Sequence, residues 1–213
     1  MQFPNALEGV KKIYKAEILA LISAAVGVVA VIIMLIGAIG ESAGGVAGGA
    51  VLLIAVAVLA VISFILNLVG LNKAKLDDDN FKTAFIITIV GIIASVVLGA
   101  AKEGSFLSTI GESASDICSF LVTWFVCTGI ISLADKLGDS EMNARGTKAR
   151  SYLMVTWVIT IVLSIIGNIL ESSESGAVAV IALILSLVGA VLEVVVYILY
   201  LKLLSKARGM LEK

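Results

Sequence analysis

Histidine is absent from these 213 residues. Its absence removes the commonest metal ligand and the usual general base near neutral pH. Cysteine is scarce: Cys118 and Cys127 lie nine positions apart. On one helix that spacing is about 13 Å along the axis and opposite faces, so the two cannot bridge. No Cys-x-x-Cys occurs, and no Gly-rich loop precedes a Lys-Ser or Lys-Thr pair, which leaves phosphate cradling without support. The paired acids or Ser–His sets of membrane-embedded proteases and acyltransferases cannot be assembled. The chain is therefore expected to be no enzyme, with no catalytic residue, metal site or cofactor. Proline occurs once, at Pro4, outside every long apolar segment. Charge is scarce as well, at 15% against the roughly 25% of a soluble domain.

What remains is apolar: 60% of the residues. They gather in six segments, about Ala16 to Gly40, Val46 to Leu71, Phe81 to Ala101, Ile117 to Ala134, Tyr152 to Leu170 and Ala177 to Leu204. Each approaches the 20 or so residues that carry an α-helix across a hydrocarbon core of about 30 Å. Buried helices of a soluble domain would show a polar face, and these do not. The expected fold class is an all-α integral membrane protein, with six transmembrane helices in three antiparallel hairpins.

Fourteen of the fifteen Lys and Arg residues fall on one side of this zigzag, and only Lys102 lies on the other. Short loops rich in Lys and Arg stay cytoplasmic, so both termini are expected inside a plasma membrane. Glu41, Glu103, Glu112, Asp116, Glu171 and Glu174 fall on the outer side. The basic inner rim is expected to meet anionic inner-leaflet lipids, and a nucleic-acid partner is excluded.

The organisation expected along the chain is one membrane domain over residues 16–208, with hairpins at about 16–71, 81–134 and 152–204. Residues 209–213 form a cytoplasmic tail. Ahead of the first span, Leu7, Val10 and Tyr14 recur at helical spacing among Lys11, Lys12 and Lys15. Residues 1–15 read as an amphipathic segment on the inner leaflet, or else as an extension of the first span. The first apolar run is too long for a cleavable signal, which needs about 7–15 residues. Outer turns read Gly40-Glu41-Ser42-Ala43 and Gly111-Glu112-Ser113-Ala114, and inner ends carry Lys or Arg. A threefold repeat of one hairpin would explain this; so would the ordinary needs of helix ends. Mitochondrial carriers share the three-hairpin plan, but they place a proline at the inner ends of the odd helices, and Pro4 lies elsewhere.

Lipid gives no hydrophobic drive to helix association, so small residues should mark packing faces. Gly91, Ser95 and Gly99 form one stripe, and Gly44, Gly45, Gly48 and Gly49 form another. Both are expected to join helices within the chain, with a homo-oligomer face or another membrane protein as the competing use.

Glu193 reads as the sole ionisable residue well inside a span. A bare carboxylate there costs at least about 2.5–3.5 kcal/mol, so it needs a proton, a partner or water. At 100° per residue, Ser186, Ala190, Glu193, Tyr197 and Tyr200 share a face expected to pack into the bundle. Ser63 with Asn67, Thr128 with Ser132, and Thr156 with Thr160 fall at similar depth. Together they make a candidate polar cavity opening to the cytoplasm, in which Tyr197 and Asn67 would bond Glu193. Asp77, Asp78 and Asp79 lack the spacing of a cation loop and read as a solvated turn with a helix cap. Two functional classes follow. One is a non-catalytic accessory or structural component acting through helix contacts; the other is a small permease or channel-like bundle built on Glu193.

Overall fold

The computed structural model describes residues 2–40, 42–99, 106–171 and 176–212. The helices are α1 (Pro4–Ile39), α2 (Ala43–Ala74), α3 (Asp79–Gly99), α4 (Phe106–Lys136), α5 (Ser140–Glu171) and α6 (Gly176–Leu211). All but α5 are long and apolar enough to cross a membrane, counted over the described residues. Their Val, Ile and Leu side chains stand exposed along α1, α2 and α6, from Val28 and Ile36 to Ile54 and Val191. A bare apolar surface of that extent calls for lipid around it. The chain is a multi-pass membrane protein.

The helix ends follow from their local sequences. Pro4 opens α1, where its missing N–H costs nothing. The Asp77 carboxylate, from beyond α2, accepts from the Ala6 amide at 2.7 Å and from the Asn5 amide group at 3.0 Å. A negative group at that end also suits the helix dipole. Ser42 caps α2 by accepting from the Gly45 amide at 3.3 Å. Between α4 and α5, Gly138 takes φ 70°, a region costly for a residue with a Cβ. The Asp139 amide reaches back to the Ala134 carbonyl at 2.9 Å, closing α4. The Asp139 carboxylate then accepts from the Met142 amide at 2.9 Å and opens α5.

The core lies at the end of the bundle that carries the basic residues. Ile13, Leu71, Phe81, Ile130, Leu133 and Leu204 are all fully buried there. α1 lies along α2 over most of its length. The Ser63 hydroxyl donates to the Ala16 carbonyl at 2.8 Å, and Ser23 donates to Val56 at 3.1 Å. Glycines permit the closest approaches: a Cβ on Gly9 would stand 2.7 Å from that of Ala74, and one on Gly37 would stand 2.7 Å from the Val46 nitrogen. α3 packs chiefly on α4 and α5 on α6, while α2 meets α3, α4 meets α5, and α6 returns to α1. Among the described residues the six helices thus form a ring closed in chain order, crossed only by a slight α4–α6 contact.

Three helices run past the bounds of their apolar segments. Residues 4–15 are the first turns of α1, the extension of the first span that was one of the two expected forms, and Ala6, Leu7, Val10 and Ile13 are buried in protein. The stretch between the fourth and fifth apolar segments, 135–150, is mostly helix, because Arg145, Lys148 and Arg150 precede the fifth apolar run yet are good helix formers that open α5. Residues 209–211, expected in the tail, are likewise the last turn of α6, with Met210 and Leu211 buried.

Candidate functional site

Three helices converge on one carboxylate, and it is not Glu193. Glu17 follows Ala16 on α1, beside the point where Ser63 fastens α2. One turn beyond Ser63, the Asn67 amide donates to Glu17 Oε1 at 3.1 Å. From α6 the Tyr197 hydroxyl lies 2.8 Å from Glu17 Oε2 and 2.7 Å from the Glu17 carbonyl, sharing its one proton between them. Both donors are neutral, and no ion pair to Glu17 occurs among the described residues.

Glu17 borders two cavities. One of about 820 Å³ lies among α1 to α4, with Ser23, Ser63, Asn67 and Thr88 in its wall. The other, about 650 Å³, is bounded by α4, α5 and α6 and includes Asp116, Thr156, Thr160, Glu193 and Tyr197. Ser119 and Thr123 border both, so the two meet beside Glu17. Among the described residues neither wall contains Lys or Arg. The Thr160 Oγ1 is buried and, among the described residues, unpartnered. Threonines in helices ordinarily bond the carbonyl one turn back, as Thr88 does to Ala84 at 2.9 Å and Thr128 to Trp124 at 2.9 Å.

The expected cavity is therefore only partly assembled. Asn67, Ser63, Thr156, Thr160, Tyr197 and Tyr200 do border the cavities. Glu193 also lines the smaller one, but it is exposed, and its expected partners Tyr197 and Asn67 bond Glu17. The reason lies in the buried face of α6, which runs through Gly189, Val196, Tyr200, Leu203 and Ala207. Glu193 stands three residues before Val196, about 60° around the helix, and so falls at the edge of that face. Ser186 is exposed too.

Thr128 and Ser132 belong elsewhere. Thr128 receives a long contact of 3.5 Å from Arg150, whose guanidinium stands 5.1 Å from the Trp124 ring centre. Ser132 donates at 2.6 Å to Asp78, which also accepts from Lys136 at 2.7 Å and from the Asn80 side chain at 2.8 Å. Asp78 is thus no solvated turn residue: its side chain is 3% exposed. Burial by itself raises its carboxyl pKa, but the hydrogen bonds from Lys136, Ser132 and Asn80 outweigh burial and leave it below the ordinary value.

The packing glycines divide. Gly45 meets Gly37, Gly49 meets Met34 and Ala30, and Gly91 faces Cys118 on α4. Gly44 and Gly48 are exposed with no other helix beside them, Ser95 is exposed, and the surroundings of Gly99 lie outside the described residues. Glu41, Lys102, Glu103 and Glu174 also lie outside them.

In the sequence Glu17 is hard to single out, because it opens the first apolar run, where a carboxylate looks like part of the rim. The available signal was its isolation: it follows Lys15 and Ala16, and the next acidic residue is Glu41. Compared with protein-family models, curated proteins and solved structures, the chain matches none.

Proposed function

We propose that this is a non-catalytic, six-span protein of the plasma membrane, a small permease or channel-like bundle whose helix ring takes a cation, or a small protonated solute, beside Glu17 and passes it across. The observation that carries this reading is the joined pair of cavities with Glu17, Glu193 and Asp116 in their walls and no basic residue among the described lining. Carboxylates held by neutral donors within a membrane need a proton or a cation to balance them. Thr160 offers a further oxygen without a partner among the described residues.

The spans are read as three antiparallel hairpins with both termini cytoplasmic. The Lys and Arg distribution supports the orientation. The α1–α2 contacts support the hairpin, since Ala16 pairs with Ser63 while Gly37 pairs with Gly45. The strong pairings α1–α2, α3–α4 and α5–α6 are compatible with a threefold hairpin repeat. The alternative, an accessory component or homo-oligomer working through small-residue contacts, has less support, because Gly37, Gly45, Gly49 and Gly91 are occupied inside the chain.

A cation that binds the folded ring and not the unfolded chain raises the melting temperature in a saturable way. Titrating Na⁺, K⁺ and Ca²⁺ separately against the purified protein should identify one with this effect, and Glu17→Gln should abolish it. No response to any cation or to pH between wild type and Glu17→Gln would overturn the reading. Cysteines placed at Lys73 and Arg145 should react only with reagent admitted to the cytoplasmic face.

A further inference from the structure

At the basic end, away from the Glu17 cavities, α5 and α6 separate to leave a cleft of about 710 Å³. Leu199 and Leu203 give it an apolar wall, and Arg145, Lys148, Lys202 and Lys206 all border it. Glu141 is the one acid in the lining, and it is taken by Arg145, whose Nε lies 3.0 Å from it. Among the described residues Lys148, Lys202 and Lys206 have no carboxylate within ion-pair distance. The Lys148 ammonium stands 5.7 Å from the Tyr152 ring centre, a cation–π contact that leaves its charge uncompensated. Four cations against one acid give the lining a net charge of 4 − 1 = +3.

We infer that this cleft binds an anionic glycerophospholipid, with the phosphate among Lys148, Lys202 and Lys206 and an acyl chain along Leu199 and Leu203. Charge complementarity selects the headgroup, since these three unpaired cations repel one another until an anion joins them. The apolar wall selects a lipid over a soluble anion. Lys202 and Lys206 are one turn apart on α6, and toward the middle of the same helix Val191, Val194 and Ile198 are exposed. An acyl chain leaving the cleft would therefore run onto a surface that already faces lipid. Basic pockets between spans on the cytoplasmic side are suited to such headgroups. The inference needs the membrane reading, but not the cation reading of the Glu17 cavities.

Native mass spectrometry of the full chain titrated with phosphatidylglycerol, and separately with phosphatidylcholine, tests the assignment. The wild type should retain phosphatidylglycerol preferentially. The triple variant Lys148→Gln, Lys202→Gln, Lys206→Gln should bind it about a hundredfold more weakly, the scale for three cations at an anionic surface. Its phosphatidylcholine binding should not change. The three Lys→Arg replacements should keep the preference, and Lys15→Gln with Lys82→Gln should leave it intact. Equal retention of both lipids by the wild type would overturn the inference. So would an unchanged preference in the triple Gln variant, an equal loss in the Lys15 and Lys82 variant, or displacement of the lipid by millimolar glycerol phosphate.

Discussion

The Tyr197 hydroxyl lies 2.8 Å from the Glu17 carboxylate, tying the last helix to the first across 180 residues of sequence. With Asn67 donating to the same carboxylate, this contact closes the ring at α1–α6 beside both cavities. Removing the hydroxyl by Tyr197→Phe should destabilise the protein by about 0.5–2 kcal/mol, the range for a hydrogen bond to a carboxylate discounted for a membrane setting. Denaturation in detergent measures it. In a Glu17→Ala background the same substitution should cost less, because only the carbonyl of residue 17 remains to accept from the hydroxyl. Additive effects of the two changes would show that the contact is not energetically coupled.

Asp78 joins the α2–α3 turn to α4 through Ser132 and Lys136. Its folded pKa lies below the ordinary 3.8, so its ionised form is favoured by folding. That stabilisation is fully present above the unfolded value and is lost as pH falls through the lower folded value. Asp78→Asn should therefore cost about 1–3 kcal/mol at neutral pH. The gap in melting temperature between variant and wild type should narrow below about pH 4. A gap independent of pH down to that point and beyond would show that the charge of Asp78 contributes nothing.

Glycines of α1 and α2 should behave oppositely according to what stands beside them. At Gly9 an added methyl meets Ala74 at 2.7 Å, and α2 backbone blocks its retreat. Gly9→Ala should cost about 1–3 kcal/mol, as overpacking does. Gly48 has nothing within 4 Å, so Gly48→Ala should be neutral or stabilising by up to about 1 kcal/mol from backbone entropy alone. Thermal denaturation of the two variants side by side distinguishes them. Equal losses would mean that Gly48 also lies against a surface, as a homo-oligomer would supply.

Most of the helical plan is legible in the sequence, because a run of about 20 apolar residues has few other physical solutions. What apolarity cannot mark is where a helix stops. Arg145 and Lys148 come before the fifth apolar run but already lie in α5, and Met210 is buried past the expected end of the last span. The candidate site is less legible, because it depends on partners far apart in the chain. Asn67 and Tyr197 could be chosen from their depth and polarity. Their shared partner could not: Glu193 lies about 60° around α6 from the buried Val196, at the edge of that face, and only the α1–α2 seam puts Glu17 in its place. Asp77 and Asp78 look like an ordinary acidic turn until α1 and α4 are docked around them.

Ion flux into sealed proteoliposomes tests the central claim most directly. Vesicles holding the wild-type chain should pass H⁺, Na⁺ or K⁺ faster than empty vesicles. Glu17→Gln should lower that flux by roughly tenfold or more, a barrier increase of about 1.4 kcal/mol, while helical content and melting temperature stay near wild type. Vesicles as tight as empty ones to all three ions, or a Glu17→Gln flux equal to that of the wild type, would contradict the account.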